Sequence, residues 1–194
     1  DGSIKNDADI NLVTDDSRLV RPGSLFVCIR HRSFDGHTAA LDALASGAAA
    51  VVTQDRLGLE NELRVADSRS AYARLCAALC NHPERKLRMI GVTGTNGKTT
   101  VTTLIRNILS DSGTKTLLTG TVCNRLGDEN LPSGLTTPKP PELYSLLSRA
   151  VSQRCKACVM EASSQALAQG RLEGIDFDAA VFTNITRDHL DYHG

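Results

Sequence analysis

The sequence predicts an α/β fold made of two domains, the second of which is built on a parallel sheet. Short apolar segments alternate with helical patterns in two series along the chain, and this alternation is typical of α/β units. The polar stretch 81–86 contains a proline and separates the two series. The second series opens with an apolar segment, a glycine-rich turn and a helical pattern. We therefore expect one domain at residues 1–86 and a second at residues 87–194.

The first series follows the order strand, helix, strand, strand, helix. An apolar run behind Pro22 and Gly23 predicts the first strand, and an Ala- and Leu-rich segment that ends at Gly47 predicts the first helix. Asp67 or Ser68 can cap the second helix. The predicted strands lie at 25–29, 48–52 and 63–66, and the predicted helices at 38–46 and 67–80.

The second series restarts the same alternation. Pro141 fits the first turn of a helix, where its missing N–H has no partner to lose. The stretch 123–139 is rich in turn-forming residues and has little periodicity, so we expect a loop there. The predicted strands lie at 87–93, 115–119, 157–162 and 177–185, and the predicted helices at 98–112 and 141–153.

Composition excludes several classes of protein. Lys and Arg number 22 and Asp and Glu number 22, and this balance argues against a general nucleic-acid or anionic-membrane binder. The six cysteines are scattered through predicted helices and strands, so we expect reduced thiols in a cytoplasmic protein. Cys155 and Cys158 have the spacing of a zinc knuckle, but the chain has no second such pair to complete four ligands. We expect a monomer without a zinc site.

The turn Gly94-Thr95-Asn96-Gly97-Lys98-Thr99-Thr100 has the context of a phosphate-binding loop, since it lies between an apolar strand and a helix. Glycines let successive amides point at one anion, and the helix adds its partial positive charge. Lys98 can reach terminal phosphates, and the Thr99 hydroxyl can ligate magnesium. The general phosphate-loop pattern has a glycine where this chain has Val92, so a glycine-rich turn that binds nothing is the alternative.

Two further positions suggest a metal site. Glu161 follows an apolar strand near its carboxyl end, where α/β sheets place ligands, and it could hold magnesium opposite the phosphate loop. Taken alone, it could equally be a capping or surface carboxylate. His189 and His193 are four residues apart and could together bind zinc on one helix face. We prefer magnesium bound through His189, because the phosphate loop supplies the context.

Several segments of the chain resemble the Mur ligases. The phosphate loop resembles the ATP loop of that family and of folylpolyglutamate synthetases, and its Thr99-Thr100 ending is closer to the Mur enzymes. Further resemblances, in the order of the family, are at residues 14–37, 135–138, 160–171 and 181–194. The resemblance is closest to the tripeptide-forming branch of the family and covers almost the whole chain.

The resemblance implies an α/β UDP-binding domain at 1–86, followed by a truncated ATP-binding domain of the P-loop type. It implies ATP and magnesium as cofactors, and UDP-N-acetylmuramoyl-dipeptide and a free amino acid as substrates. The amino acid would be L-lysine or meso-diaminopimelate. ATP would first convert the D-glutamyl carboxylate to an acyl phosphate, which the amine then displaces. No nucleic acid or membrane partner is implied.

The resemblance also implies roles for individual residues. The implied catalytic residues are Lys98, Glu161 and His189. The implied ATP-binding residues are Gly94, Thr95, Asn96, Gly97, Lys98, Thr99, Thr100 and Asn184. The implied substrate-binding residues are Ser17, Ser33, Thr136, Thr137, Ser163, Gln169 and Arg171. The implied metal ligands are Thr99, Glu161 and His189. Arg30 and Arg32, beside Ser33, could contact a diphosphate or lie in a solvated loop.

We expect the chain to be an amino-terminal fragment of such an enzyme and to be inactive alone, because the family's later domain binds the incoming amino acid. Two other functions stay open. One is another amide ligase of the same superfamily, of the folylpolyglutamate or cyanophycin type. The other is a Mur-like nucleotide-binding module without catalysis.

Overall fold

The computed structural model describes residues 8–187. These residues form two compact units, and the boundary between them along the chain lies between Leu79 and Cys80. The sequence-based boundary lies slightly later, after residue 86. The short 3₁₀ helix Pro83–Lys86 accounts for the difference, because it packs against the helix Pro140–Ser152 of the second unit. His82 precedes it with a φ of 51°, which ends the preceding helix sharply.

The first unit is a four-stranded parallel sheet in the order β1-β2-β3-β4. Its strands are β1 Leu12–Thr14, β2 Ser24–Val27, β3 Ala48–Thr53 and β4 Glu62–Arg64. Its helices are the 3₁₀ helices Ser17–Leu19 and Gly36–Ala39, α1 Ala40–Ala45 and α2 Ser68–Leu79. The two central strands are almost fully buried, as expected for parallel strands covered on both faces. Strand β1 was not predicted, because it is only three residues long and follows a polar start.

The second unit contains a six-stranded sheet in the order β10-β5-β9-β6-β7-β8. Its strands are β5 Arg88–Thr93, β6 Thr116–Thr119, β7 Asn124–Leu126, β8 Glu129–Leu131, β9 Ala157–Glu161 and β10 Ala179–Phe182. Its helices are α3 Lys98–Asp111, α4 Pro140–Ser152 and α5 Ser164–Ala168. Apolar side chains of β5, β9, β6 and α4 form the core, among them Met89, Leu117, Leu143, Leu147 and Met160, each at most 1% exposed.

The prediction of a loop at 123–139 was wrong in one respect. Strands β7 and β8 form an antiparallel hairpin that extends the sheet beside β6. Each strand has only three residues and carries polar side chains, so it gives little hydrophobic signal. Arg106 of α3 holds the turn, because its buried guanidinium donates to the Gly127 carbonyl at 2.7 Å. Helix α5 was also missed, because five residues give too little periodicity.

The four parallel strands of this sheet end at one edge. β10 pairs with β5, β5 with β9, and β9 with β6, and all three pairings are parallel. The residues at the carboxyl ends of these strands are therefore neighbours: Thr93, Thr119, Glu161 and Phe182. Helix α3, which follows β5, packs across β5, β9 and β6. The segments that follow these strands therefore share this edge.

Across residues 8–187, none of the helices is both long and apolar enough to cross a membrane.

We expect the two arginines that hold the β7–β8 hairpin to contribute unequally to stability. Arg106→Ala removes a buried donor to the Gly127 carbonyl and should lower the free energy of unfolding by about 1–3 kcal/mol. Arg149→Ala removes a half-exposed ion pair with Glu129 and should cost only about 0.2–1 kcal/mol. Urea unfolding of both variants checks the difference. Equal losses, or unchanged hydrogen exchange of the Gly127 amide in Arg106→Ala, would show that Arg106 does not hold the hairpin.

Candidate functional site

The predicted phosphate loop forms a cradle between β5 and α3. Gly94 and Gly97 have φ values of 127° and 85°, a region that favours glycine. A Cβ on Gly94 would lie 2.2 Å from the Thr183 hydroxyl, whereas a Cβ on Gly97 would meet no atom within 4 Å. No side chain caps the start of α3, so no capping side chain occupies the first amides of this helix. The cradle thus has the geometry of an anion site at a helix N-terminus.

Lys98 lies inside the loop. Its Nζ donates to the carbonyls of Gly94 at 2.7 Å and Thr95 at 3.0 Å. Lys98 also lines a cavity of about 410 Å³ together with Ser163 and Asn184. A phosphate oxygen entering this cavity would meet an ammonium group that is already oriented by the loop backbone. This arrangement supports the predicted contact of Lys98 with terminal phosphates.

The segment after β10 anchors the loop. Asn184 accepts a hydrogen bond from the Asn96 amide at 3.0 Å through Oδ1 and donates to the Asn96 carbonyl at 3.1 Å. Thr183 donates to the same carbonyl at 2.7 Å, and the Asn184 carbonyl accepts from the Thr95 amide at 2.9 Å. Asn184 therefore lies at the loop as predicted. Thr183 was not predicted, because the bond from its hydroxyl joins residues 87 positions apart.

Gly91 differs from Gly94 and Gly97 in its structural role, because it packs inside a strand and does not shape the loop. It lies inside β5, and a Cβ there would be 2.8 Å from the ring of Phe177. The glycine that stands one residue before the general phosphate-loop position is thus a packing glycine under an aromatic ring. Its presence says nothing about phosphate binding.

Glu161 is 1% exposed at the end of β9. Its Oε1 accepts from the Thr121 amide at 3.0 Å, and its Oε2 accepts from the Thr121 hydroxyl at 2.9 Å. Within residues 8–187, no basic side chain lies within 4.0 Å of this carboxylate. Because the side chain is buried and bonded to the turn after β6, the structure contradicts the alternative of a surface or helix-capping carboxylate.

The predicted substrate-binding residues of this unit surround Glu161. Thr137, 1% exposed, donates to the Glu161 carbonyl at 2.7 Å and accepts from the Ser163 amide at 3.0 Å. The Ser163 hydroxyl in turn caps α5 by accepting from the Ala166 amide at 3.2 Å. Thr136 is connected to the carboxylate through Thr121, whose hydroxyl lies 3.0 Å from the Thr136 hydroxyl and 2.9 Å from Glu161 Oε2.

Arg171 and Gln169 complete the network. Arg171 donates through Nη1 to the Thr137 carbonyl at 2.7 Å, and through Nε and Nη2 to the Gln169 amide oxygen at 2.9 and 2.7 Å. The structure thus joins five predicted residues that are 35 positions apart at most: Thr136, Thr137, Ser163, Gln169 and Arg171. Because Ser163 also lines the cavity that contains Lys98, the network borders the phosphate loop.

The residues of this edge suit magnesium. Glu161 supplies a buried carboxylate with no basic partner in the described part of the chain, and Thr99 supplies a half-buried hydroxyl at the first turn of α3. Carboxylate and hydroxyl oxygens are ligands that magnesium prefers. His189, the third predicted ligand, lies outside the described residues. A magnesium site therefore stays a prediction that the donor chemistry supports.

The cysteines do not form a metal site in the described part of the chain. No group of three or more His, Cys, Asp or Glu side chains with metal-binding geometry occurs among residues 8–187. Cys155 and Cys158 are buried free thiols, and burial raises the pKa of both. A high thiol pKa disfavours the thiolate that zinc requires.

In the first unit, the two predicted substrate residues lie in exposed turns. Ser17 begins the 3₁₀ helix after β1, which Asp16 caps by accepting from the Arg18 amide at 3.0 Å. Ser33 lies in a turn closed by a hydrogen bond from the His31 amide to the Phe34 carbonyl at 2.8 Å. Both residues are exposed, and their roles stay predictions.

Arg30 is engaged by carboxylates of its own unit. Its guanidinium pairs with Asp35 at 3.1 Å and with Asp55. The His37 amide, with the side chains of His37 and Arg30, lowers the pKa of Asp35 to about 2, so Asp35 keeps its charge. This pairing offsets the positive charge of Arg30 and favours a structural purpose for it over a diphosphate contact.

Comparisons with known proteins agree with this geometry. The family profile described as Mur ligase middle domain matches residues 92–194, and that described as Mur ligase family, catalytic domain, matches residues 9–81. A UDP-N-acetylmuramoyl-L-alanyl-D-glutamate–2,6-diaminopimelate ligase of Geobacillus kaustophilus is 46% identical over 96% of this chain and 38% of its own length. The ligase of the same name from Phocaeicola vulgatus is 42% identical over 95% of this chain and 39% of its own length.

Solved structures of Mur ligases are also similar to this chain. A structure of a ligase with that name is 34% identical, with a TM-score of 0.79, over 95% of this chain and 38% of its own. MurF ligase from Thermotoga maritima in complex with ADP is 22% identical, with a TM-score of 0.57, over 93% of this chain and 39% of its own, and supports the fold alone. The chain thus spans about 38% of the length of the relatives it matches. Since a family profile covers more than half of its residues, the chain belongs to the Mur ligase family.

Proposed function

We propose that this protein acts in the ATP-dependent ligation of 2,6-diaminopimelate to UDP-N-acetylmuramoyl-L-alanyl-D-glutamate, an amide-forming step of peptidoglycan synthesis. The names of the similar ligases supply the two substrates. One structural observation carries the proposal: Ser163 belongs to the hydrogen-bonded network around Glu161 and lines the cavity that contains Lys98. The predicted phosphate loop and the hydrogen-bonded network around Glu161 therefore border one cavity.

The loop would bind the triphosphate and the network would bind the acceptor. In the first step, an oxygen of the D-glutamyl carboxylate attacks the γ-phosphorus, the bond to the β-phosphate oxygen breaks, and ADP leaves. In the second step, the amine of the amino acid attacks the acyl carbon, and phosphate and a proton leave. The first step brings two anions together, so it requires positive charge at the loop.

Residues of this chain supply that charge and the positions of the reactants. Lys98 lines the cavity, and Lys98 together with the amides at the start of α3 would stabilise the transferred phosphoryl group. Asn184 and Thr183 hold the loop backbone in place. Magnesium, held by Thr99, Glu161 and His189, would neutralise further phosphate charge when bound.

The remaining expectations are part of the same proposal. Domain 1–86, with Ser17 and Ser33, would bind the UDP moiety, and domain 87–194 would bind ATP. Thr95, Asn96, Gly97 and Thr100 would contact the nucleotide phosphates. The protein would act as a cytoplasmic monomer on small molecules, without nucleic-acid or membrane partners. Its six cysteines are free, in keeping with a reducing compartment.

The reaction can be tested in the complete protein that contains this chain. ATP, the UDP-muramoyl dipeptide and 2,6-diaminopimelate should give ADP, phosphate and a product heavier by one diaminopimelate residue, detected by mass spectrometry. L-Lysine in its place should give less product. Phosphate release with a pteroyl acceptor and none with the muramoyl dipeptide would contradict the proposal.

We expect Lys98→Ala to lower turnover by about two to three orders of magnitude, because a preorganised charge at the transferred group is lost. The fold should persist, since the Lys98 ammonium contacts only loop carbonyls. Lys156→Ala is the matched control, because Lys156 is exposed and precedes β9 at the opposite edge of the sheet. Steady-state phosphate release measures both variants. Turnover of Lys98→Ala within threefold of the wild-type value would exclude the assigned role.

We expect Glu161→Gln to raise the magnesium concentration required for half-maximal turnover by at least about tenfold. The amide keeps the shape of the side chain and removes the charge that would bind the metal. Glu173→Gln is the control, because Glu173 is exposed. Magnesium titration of the initial rate measures the effect. An unchanged magnesium requirement with normal folding would remove Glu161 from the metal site.

A further inference from the structure

The turn Gly120–Thr121, which follows β6, is bound to Glu161 and was not singled out by the sequence. We propose that Thr121 is a positioning residue that orients the Glu161 carboxylate for the metal and links it to the acceptor through Thr136. This inference rests on the proposed function and extends it, since it names what couples the metal side of the site to the acceptor side.

Thr121 donates one hydrogen bond to each carboxylate oxygen of Glu161. The backbone amide of Thr121 donates to Oε1 at 3.0 Å, and its hydroxyl donates to Oε2 at 2.9 Å. One residue therefore contacts both oxygens and fixes the plane of the carboxylate. Each oxygen has about two acceptor positions, so one position on each remains for a metal ion.

The Thr121 hydroxyl is the donor in two contacts. It lies 2.9 Å from Glu161 Oε2 and 3.0 Å from the Thr136 hydroxyl, and it donates to both oxygens. Because a hydroxyl has one proton, Thr121 shares that proton between the carboxylate and Thr136. The two acceptors therefore compete for one donor, which connects Thr136 to Glu161 through Thr121.

The backbone of the turn at Gly120 allows the Glu161 carboxylate to approach Thr121 closely. A Cβ on Gly120 would lie 2.2 Å from Glu161 Oε1, so only glycine lets the carboxylate approach the Thr121 amide. The Ser133 hydroxyl donates to the Gly120 carbonyl at 2.6 Å and fixes the turn from the other side. The position of the carboxylate is thus determined by the turn rather than by a basic side chain.

The consequence is a linkage between two ligands. Groups that orient a metal ligand typically change metal affinity or activity by about 10- to 100-fold when removed. If the acceptor binds at Thr136, it changes how the Thr121 proton is shared between Thr136 and Glu161, and metal binding changes with it. By reciprocity, the metal changes acceptor affinity by the same factor.

The test measures manganese binding, which does not require turnover. Electron paramagnetic resonance counts free Mn2+ in the complete protein with ADP. Thr121→Val keeps the shape and the backbone amide and removes the hydroxyl, so the Kd for Mn2+ should rise about tenfold or more. Thr121→Ser keeps the hydroxyl and should restore binding to within about threefold of the wild-type value.

Thr119→Val is the matched control. Thr119 is fully buried two residues earlier in β6, and its hydroxyl has no hydrogen-bond partner in the described structure. The same substitution there removes a hydroxyl without touching Glu161, so the Kd for Mn2+ should not change. Equal Mn2+ affinity in Thr121→Val and Thr119→Val, with both folded by circular dichroism, would overturn the inference.

Two further measurements keep the inference testable if Thr121→Val folds poorly. Gly120→Ala should displace the carboxylate and weaken Mn2+ binding while the Thr121 hydroxyl remains. In the wild-type protein, the UDP-muramoyl dipeptide should change the Kd for Mn2+, and this change should disappear in Thr136→Val. Undiminished Mn2+ affinity in Gly120→Ala would overturn the inference. A wild-type protein that binds no Mn2+ with ADP would instead overturn the proposed function.

Discussion

Parallel hydrogen bonding between β5, β9 and β6 is the constraint on which the site depends. Because the three strands run in one direction, the loop after β5, Glu161 at the end of β9 and the turn after β6 all meet at one edge. Helix α3 lies across the same strands, so its amino terminus opens at that edge. The cavity beside Lys98 follows from this arrangement and from the segment after β10 that anchors the loop.

Burial of the Glu161 carboxylate destabilises the folded state. Among residues 8–187, Thr121 is the donor of its side-chain hydrogen bonds, and no basic side chain lies within 4.0 Å of the carboxylate. An apolar residue would stabilise the end of β9 at lower cost. Positions where a protein keeps a residue that is less stabilising than an apolar one are often functional. A divalent cation bound to this carboxylate would supply positive charge beside it.

The features that could be predicted from the sequence are those with local signals. The phosphate loop was predictable because glycines, Lys98 and the flanking strand and helix lie within a few residues of one another. The proposed substrate-binding residues came from a family resemblance, and the structure adds that Thr136, Thr137, Ser163, Gln169 and Arg171 form one hydrogen-bonded network with Glu161. The strand and helix bounds were close to the predicted ones wherever an apolar run was long, as in β5 and α3.

The remaining features depend on partners distant in the sequence. Thr121 and Glu161 are 40 residues apart, and Thr183 and Asn96 are 87 apart, so no local pattern could connect them. The β7–β8 hairpin is fixed by Arg106, which is 21 residues before the carbonyl that it holds. In each case, the informative contact is a hydrogen bond of a polar side chain, to which hydrophobic periodicity is insensitive.

The most direct test of the account is a crystal structure of the protein grown with ADP and Mn2+. The account predicts that the ADP phosphates lie on the loop Gly94–Thr100. It also predicts an anomalous Mn2+ peak within about 2.2 Å of a Glu161 carboxylate oxygen and the Thr99 hydroxyl. Phosphates bound away from the loop, or a Mn2+ peak without contact to Glu161, would contradict it.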